Sequence, residues 1–365
     1  MGFFNARMKV NPRGLKMIHE SFVSDAEEFL GDRLKTFNGF RLLCVDGSDV
    51  EVRSDVLHPV LSVRQKGKGK PKDMPMMMKL SAVCDALNKH CLRVTIGRGK
   101  CSEREQALQL LCAIPRKAQE NAIVVFDRGY FSFILYMLLS NMGYRVVFRV
   151  RSSIMKGSFE KLSDGKSEFV KEPINQQLLK RMQSFETLSG SLPEDGLLRA
   201  RIIQFHIGKN TFRLVTNLSS SEASDDDLKT IYRKRWSVET AFDEVKNKLR
   251  MEEFSGKRER LIVQDMIAAF TVHAVTRLTM AAESGSVPAE KKHPMQQNFN
   301  RCVGAVKRNL AEILLSLNRK AVDKAVRSVR EVALKEFCPV RPDRLRKKGK
   351  HKKKNRSAMG YRPHY

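Results

Sequence analysis

The chain has 365 residues, of which 42% are hydrophobic, so it is long enough for one large or two ordinary domains with a buried core. This composition excludes a disordered chain and a disulfide-stabilised miniprotein. The 68 Lys and Arg residues outnumber the 40 Asp and Glu residues and give a net charge of +28, which favours a polyanionic partner, with nucleic acid as the first candidate.

Signals for export or membrane attachment are not recognisable. Residues 1–12 lack the apolar region of a signal peptide, and Ala6 stands where myristoylation needs Ser or Thr. The most apolar stretch, 261–282, carries polar and charged residues and is predicted to be a buried helix. The seven Cys residues contain no CxxC pair, which favours free thiols in a reducing compartment. We therefore expect a cytoplasmic protein without a membrane partner.

The first 153 residues alternate between predicted helices and strands. Helical spacing over 1–35 is followed by a strand that ends at Asp46. The stretches 78–87 and 90–99 predict a hairpin. Two helices and two strands then alternate: a capped helix from Ser102 to about Cys112, a buried strand over 122–126, a helix through Ser140 and a strand over 144–150. This order predicts a mixed α/β sheet with an antiparallel edge.

The second half begins with a β-rich insertion over 154–222, in which 198–207 and 211–218 predict a hairpin. Ser224 then caps a long helix that continues to about Arg250. Further helices are predicted over 258–283 and 298–335.

Two segments are strongly basic. Residues 341–365 hold eleven Lys and Arg against one Asp, so this tail carries +10 and the rest of the chain +18. We expect the tail to be disordered and to contact DNA backbone without reading sequence. The loop over 64–73 lacks the G-x4-G-K-[ST] order of a nucleotide site, so no nucleotide cofactor is predicted. A DNA contact and a merely solvated loop fit it equally well.

Two acidic residues follow apolar strands and stand just before a Gly. Either Asp46 or Asp127 alone fits an ordinary turn. Together, at the ends of neighbouring strands, two carboxylates can converge on a divalent cation such as Mg²⁺. A third carboxylate would complete such a site.

The helix after Ser224 offers this third carboxylate. Spacings of three and four residues place five side chains on one face of the helix: Tyr232, Arg235, Glu239, Phe242 and Lys246. A solvated face with an Arg–Glu ion pair is the alternative interpretation. Against it, Arg before Glu is the poorer orientation in a helix, and aromatic side chains interleaved with charges are typical of phosphate and base contacts.

Four residues of this helix match the complete pattern Y-x2-R-x3-E-x6-K: Tyr232, Arg235, Glu239 and Lys246. With this pattern the chain resembles the transposases of IS4-type insertion sequences, which are DDE enzymes with an RNase H-like core. The other two acidic motifs of that family are matched by Asp46 in D-G-S and by Asp127 in D-x-G-aromatic. The resemblance covers roughly residues 38–283.

The resemblance implies an α/β fold, an RNase H-like mixed sheet flanked by helices, with a β-rich insertion before the helix that carries the last catalytic Glu. Six segments are predicted. They are a short helical N-terminal remnant (1–37), the first part of the catalytic core (38–153), the insertion (154–222), the catalytic helix with the following core helix (223–285), a C-terminal helical region (286–340) and the basic tail (341–365).

The resemblance also implies a DNA transposase that cleaves the ends of a mobile element and transfers them to a target by cut-and-paste. Asp46, Asp127 and Glu239 would be the catalytic residues and would hold two Mg²⁺ ions, for which Mn²⁺ could substitute. Four residues would contact DNA: Tyr232, Arg235, Trp236 and Lys246. The partners would be double-stranded DNA, as terminal inverted repeats and target, bound by a homodimer on paired ends at the bacterial nucleoid.

Other functions are compatible with the sequence. Relatives usually carry a longer helical region before the first Asp, whereas 45 residues precede Asp46, so an N-terminally truncated, catalytically idle DNA-binding relic is one alternative. A basic RNA-binding protein is another. Some relatives stack a flipped base on a Trp of the insertion during hairpin formation, but the single Trp here is Trp236, so that step stays open. Phe205, His206 or Phe212 could stack a base instead, although core packing is the commoner fate of such residues in a hairpin.

Overall fold

The computed structural model describes most of the chain: residues 2–52, 62–64, 76–97, 102–177, 180, 195–256, 258–283 and 293–340. The predicted basic loop beyond Arg64 and the predicted tail over 341–365 lie outside the described residues.

Within these residues, nine strands form one sheet: β1 (Arg41–Val52), β2 (Ser62–Arg64), β3 (Met76–Asp85), β4 (Cys91–Gly97), β5 (Ala122–Phe126), β6 (Arg145–Arg149), β7 (Ser167–Pro173), β8 (Leu197–Ile207) and β9 (Asn210–Thr216). Two short strands pair separately: β10 (Met295–Gln297) and β11 (Phe337–Pro339).

Helices lie before, between and after these strands: α1 (Gly2–Lys9), α2 (Pro12–Leu30), α3 (Glu103–Cys112), α4 (Arg116–Glu120), α5 (Phe133–Asn141), α6 (Lys156–Glu160), α7 (Asp225–Lys234), α8 (Trp236–Asp243), α9 (Glu259–Ala282), α10 (Phe299–Leu315) and α11 (Arg319–Lys335). A 3-10 turn over Gly31–Arg33 follows α2, and a π-helical turn over Glu244–Lys248 follows α8.

The sheet is mixed, as predicted. β1 is antiparallel to β3 and parallel to β5, and β5 is parallel to β6. β2 and β4 lie one after the other along the outer edge of β3. On the far side of β6, the antiparallel strands β9, β8 and β7 extend the same sheet. The α/β class with a mixed sheet flanked by helices is therefore confirmed, and the β-rich insertion continues the sheet.

Strand β1 is longer than predicted, since the predicted strand ended at Asp46. Its parallel pairing with β5 stops at Cys44, but its antiparallel pairing with β3 continues to Val52. Gly47 and Ser48, which are residue types common in turns, are therefore part of the strand because they pair with β3. Asp46 consequently lies where β1 parts from β5.

Apolar side chains cover both faces of the sheet. Along β1, Leu42 and Cys44 face one buried cluster, whereas Leu43 and Val45 face another. Helices α7 to α10 contribute to the first cluster, and α2, α3 and α5 contribute to the second. All five residues of β5 are buried, as expected for a central strand covered on both faces.

Helix α9 is long and apolar enough to cross a membrane by length and composition alone. Most of it is buried inside the protein, where it packs against α2, α10 and β4. The helix thus agrees with the prediction of a buried core helix over this apolar stretch.

One pair of cysteines differs from the prediction of free thiols. Cys84 and Cys91 form a disulfide across the β3–β4 hairpin, where they are register partners with Cα atoms 3.9 Å apart. Their spacing of seven residues matches no CxxC motif, so the bond depends on a pairing that only the fold reveals. The other described cysteines are free: Cys44, Cys112, Cys302 and Cys338.

Candidate active site

The two predicted aspartates lie on neighbouring parallel strands. Asp46 is in β1, two residues beyond its last pair with β5, and Asp127 directly follows β5. Because the two strands run in the same direction, their carboxyl ends meet at one end of the sheet. The sheet therefore brings the two carboxylates to the same region, as the sequence analysis expected.

The helical segment from Asp225 to Lys248 brings in the third carboxylate. Ser224 accepts a hydrogen bond from the Asp227 N–H, and the Asp227 carboxylate accepts one from the Ser224 N–H, so the predicted capping box is confirmed. Leu228, Ile231 and Val238 are fully buried, and α8 packs on β1 and β3. This apolar stripe docks the segment on the sheet, with Arg235 at the junction of α7 and α8.

Arg235 lies at the centre of the site. Its Nη2 donates a hydrogen bond to Glu239 Oε1 at 2.7 Å, and its Nη1 lies 3.7 Å from Asp46 Oδ2. Burial acts to lower the pKa of Arg235, but the hydrogen bond to Glu239 and the negative charges of Asp127 and Glu239 outweigh burial and raise it. Its Nε is buried and has no hydrogen-bond partner within the described residues. One guanidinium thus compensates the carboxylates of two strands and one helix.

Asp46 carries the clearest electrostatic perturbation. Burial raises its pKa from 3.8 to about 6, and the negative charges of Glu239 and Asp127 act in the same direction. The Gly47 N–H, which donates to Asp46 Oδ1 at 2.9 Å, and the charge of Arg235 oppose this rise. A carboxylate with such a pKa gains from an additional positive charge nearby.

Asp127 is held by residues from two elements. The Tyr232 hydroxyl donates to Asp127 Oδ1 at 3.2 Å, and Arg149 Nη1 lies 3.8 Å from the same oxygen. Burial and the charge of Asp127 raise the pKa of Tyr232, which keeps the hydroxyl protonated. Tyr232 is only 2% exposed. In this structure its hydroxyl, the only polar atom of its side chain, is bonded to Asp127, and the DNA contact expected of Tyr232 stays a prediction.

The predicted metal ligands are near each other but do not form a closed site. Within the described part of the chain, no three His, Cys, Asp or Glu side chains are close enough to hold a metal ion together. The expected convergence is incomplete, and the Glu239 carboxylate is paired with Arg235. The donor set nevertheless fits a hard divalent cation, since all three groups are carboxylates, and Asp46 is largely buried with Glu239 and Asp127 near enough for their charges to raise its pKa further.

The remaining predicted DNA contacts have different environments. Trp236 is 58% exposed beside Arg235, so its indole ring is accessible to a base. Lys246 lies in the π-helical turn, where its Nζ donates to the Asp49 carbonyl at 2.5 Å and lies 3.5 Å from Glu252. The turn breaks the regular spacing on which the common helix face was predicted. Lys246 is therefore tied to β1 in this structure.

Two further residues of the site had no assigned role in the sequence analysis. Arg149, at the end of β6, approaches Asp127, and its guanidinium stacks on Phe212 at 4.4 Å. The Tyr130 hydroxyl is buried, has no hydrogen-bond partner within the described residues, and has a pKa raised by burial and by Asp46. The aromatic of the D-x-G motif signalled Tyr130, whereas an Arg ending an apolar strand gave no distinctive signal for Arg149.

Comparison with known proteins identifies a family for most of the chain. Residues 38–275 match the family described as transposase DDE domain. Among solved structures, the chain is similar to a piggyBac transposase synaptic complex with hairpin DNA, at 14% identity and a TM-score of 0.43. The match covers 79% of this chain and 57% of that one, so the chain spans little more than half of that protein's length. No curated protein matches the chain significantly.

Proposed function

The chain belongs to the transposase DDE domain family, and we propose that it is a transposase of the IS4 type, which cleaves the ends of a DNA element and transfers them to a target. The observation that carries this proposal is the grouping of Asp46, Glu239 and Asp127 around Arg235. Asp46 lies in β1, Asp127 directly follows β5 and Glu239 lies in α8, and each of the three belongs to one of the acidic motifs of the sequence.

The proposed cofactor is a pair of Mg²⁺ ions, for which Mn²⁺ could substitute. Asp46, Asp127 and Glu239 would hold them, because carboxylates suit hard cations. Such ions activate a water or 3′-hydroxyl and stabilise the leaving oxygen of an in-line displacement. Tyr232 contributes by fixing the orientation of Asp127 through its hydrogen bond.

Arg235 has two proposed roles. In the structure it neutralises Glu239 and faces Asp46. If Glu239 held a cation, the guanidinium would lose this partner and would be available to a DNA phosphate, for which its planar fork is well suited. Exposed Trp236 is the proposed stacking surface for a base. Lys246 would reach phosphate only after leaving the Asp49 carbonyl.

The proposed partners are double-stranded DNA ends and target DNA, bound by a homodimer in the bacterial cytoplasm. The net charge of +28 supports a polyanionic partner.

The deciding experiment compares Glu239→Gln with the parent protein in DNA binding and in cleavage of the element's own ends. Gln keeps the size and hydrogen bonding of the side chain but removes the charge that binds a cation. We expect cleavage with Mg²⁺ to fall by orders of magnitude while DNA binding is kept. Asp243→Asn is the matched control, because it removes one negative charge from the exposed face of the same helix and should cleave like the parent.

Three results would contradict the proposal. Cleavage by Glu239→Gln at the parental rate would remove Glu239 from the site. A parent that binds the ends but cleaves them with neither Mg²⁺ nor Mn²⁺ would be the catalytically idle relic. A preference for RNA over DNA would favour the RNA-binding alternative.

A further inference from the structure

A second feature lies beside the carboxylates, at the ends of strands β5 and β6. It is an open cleft of about 510 Å³. Four arginines line it: Arg128, Arg149, Arg151 and Arg213. The described residues that line this arginine cleft include no Asp or Glu. The proposed reaction gives no role to Arg128, Arg151 or Arg213.

Two of the four arginines are held in place. The guanidinium of Arg149 stacks on Phe212 at 4.4 Å, and that of Arg213 lies over Phe159 at 5.3 Å. Arg213 also donates to Gln204 Oε1 at 2.7 Å and to the Ser152 carbonyl at 2.8 Å. These contacts are to neutral groups, so they fix the side chain of Arg213 without neutralising it.

The other two arginines are exposed at the rim. Arg128 and Arg151 form no ion pair with any described carboxylate. Four positive charges around one cleft repel each other, and a purely structural role would favour carboxylates among them. Their arrangement is instead typical of a surface that binds an anion with several oxygens.

The arginine cleft adjoins the candidate active site. Arg128 follows Asp127 in the chain, and Arg149 reaches both the cleft and Asp127, whose Oδ1 lies 3.8 Å from its Nη1. A polymeric anion with one phosphate at Asp127 would therefore place its next phosphates at the arginines. Hydroxyl groups of Ser153 and Thr211 also line the cleft and can donate to phosphate oxygens.

We propose that the arginine cleft binds backbone phosphates of the DNA strand next to the phosphate that is cleaved. The inference rests on the proposed function, since it takes the reacting strand to lie at Asp127. Binding would not depend on base sequence, because guanidinium groups contact phosphates and not base edges. The cleft would thus fix the position of the strand relative to the carboxylates.

The test uses the full chain and a duplex of random sequence, so that recognition of element ends plays no part. Arg128→Ala, Arg151→Ala and the double variant are compared with the parent by dissociation constant over a range of salt concentrations. Both side chains are exposed and unpaired with carboxylates, so their removal should leave the fold intact. Circular dichroism and the melting temperature verify this.

We expect each single variant to bind about tenfold more weakly than the parent. The slope of log affinity against log salt should become less steep by about 0.9 for each phosphate that the variant no longer binds. Arg151→Lys should keep the slope but bind more weakly than the parent, because Lys retains the charge without the planar fork. Arg327→Ala is the control, since it removes an exposed Arg from α11, which packs on α10 and α9, and should change neither quantity.

The proposal would be overturned if the double variant bound DNA with the same affinity and the same salt slope as the parent. It would also be overturned if the parent bound no DNA. Protection of the parent against thermal unfolding by inorganic phosphate, with DNA binding unaffected by the double variant, would mean a small-anion site and also overturn it. The proposed function has a separate test. It would fail if Glu239→Gln cleaved DNA at the parental rate, even where loss of DNA binding by the double variant supported the cleft.

Discussion

The buried carboxylate of Asp46 lowers the stability of the fold but suits the binding of a cation. In the fold its carboxylate is largely buried and lies near two other acidic groups, which raises its pKa to about 6. Arg235 compensates this only partly, at 3.7 Å. Such a residue is costly in a protein that needs only to fold, and it is useful in a site that binds a cation.

The pH dependence of stability follows from this pKa. An Asp whose pKa is higher in the folded than in the unfolded state favours folding when neutral, so stability is lost as the pH rises from about 4 and the loss is complete above about 6. A neutral Asn side chain at this position would avoid the loss and keep the hydrogen bond from the Gly47 N–H.

We therefore expect Asp46→Asn to raise the free energy of unfolding at pH 7 by on the order of 2 kcal/mol, a figure reduced for the partial exposure of the side chain. The gain should disappear near pH 4, and cleavage should be abolished. Urea unfolding at several pH values measures the effect. Asp243→Asn, on an exposed helix face, should change stability by only a few tenths of a kcal/mol. Equal stability of Asp46→Asn and the parent at pH 7 would contradict the argument.

At the scale of elements, the helical segment that carries Glu239 is anchored by buried charges at its end. Glu244, in the π-helical turn, is 3% exposed and is bonded to His273 and Arg277 of α9. Burial alone would raise the pKa of Glu244, but its hydrogen bond to His273 and the charge of Arg277 outweigh burial and lower it. The turn that follows Glu239 is thereby tied to the long core helix.

Glu244→Gln should be strongly destabilising, by about 3 kcal/mol, because it leaves Arg277 without its buried carboxylate partner. The measurement is urea unfolding at pH 7. Glu253→Gln is a matched control, since Glu253 forms an exposed ion pair with Arg250 and should contribute less than about 1 kcal/mol. Similar unfolding curves for the two variants would show that the buried network does not anchor the turn.

Sequence periodicity predicted the type of the helices and strands better than it predicted where they end. The capping boxes at Ser102 and Ser224 are local, involving residues three positions apart, and both are confirmed. The extension of β1 beyond Asp46 was missed because its partner β3 lies far along the chain. The π-helical turn at Lys246 was missed because it has no distinctive composition and depends on the packing of Glu244 against α9.

The sequence motifs single out Asp46, Asp127 and Glu239, and the structure places these three carboxylates around Arg235. The contacts among these residues were not predictable from the motifs, since the pairing of Arg235 with Glu239 in place of a cation depends on side-chain conformation. Arg149 reaches Asp127 only because β5 and β6 are adjacent. For the same reason, the arginine cleft unites residues that no single sequence window contains.

At the scale of the whole molecule, positive charge is divided between the basic tail and the rest of the chain. Residues 341–365 contribute +10 of the net +28. The arginine cleft belongs to the remaining +18 and lies beside Asp127, where the proposed reacting strand would pass. The tail has eleven Lys and Arg without an evident base-reading motif, so its predicted contribution is affinity without sequence preference.

Deletion of residues 341–365 tests this division. If half of the eleven cationic side chains contact phosphates, the salt dependence of DNA binding should become less steep by about 5 in log–log slope, because each contact contributes about 0.9. Sequence preference should hardly change. Combining the deletion with Arg128→Ala and Arg151→Ala should add the two slope changes, since the tail and the cleft would each displace counterions from different phosphates. Binding titrations over a salt series measure this, and an unchanged slope after the deletion alone would show that the tail does not contact DNA.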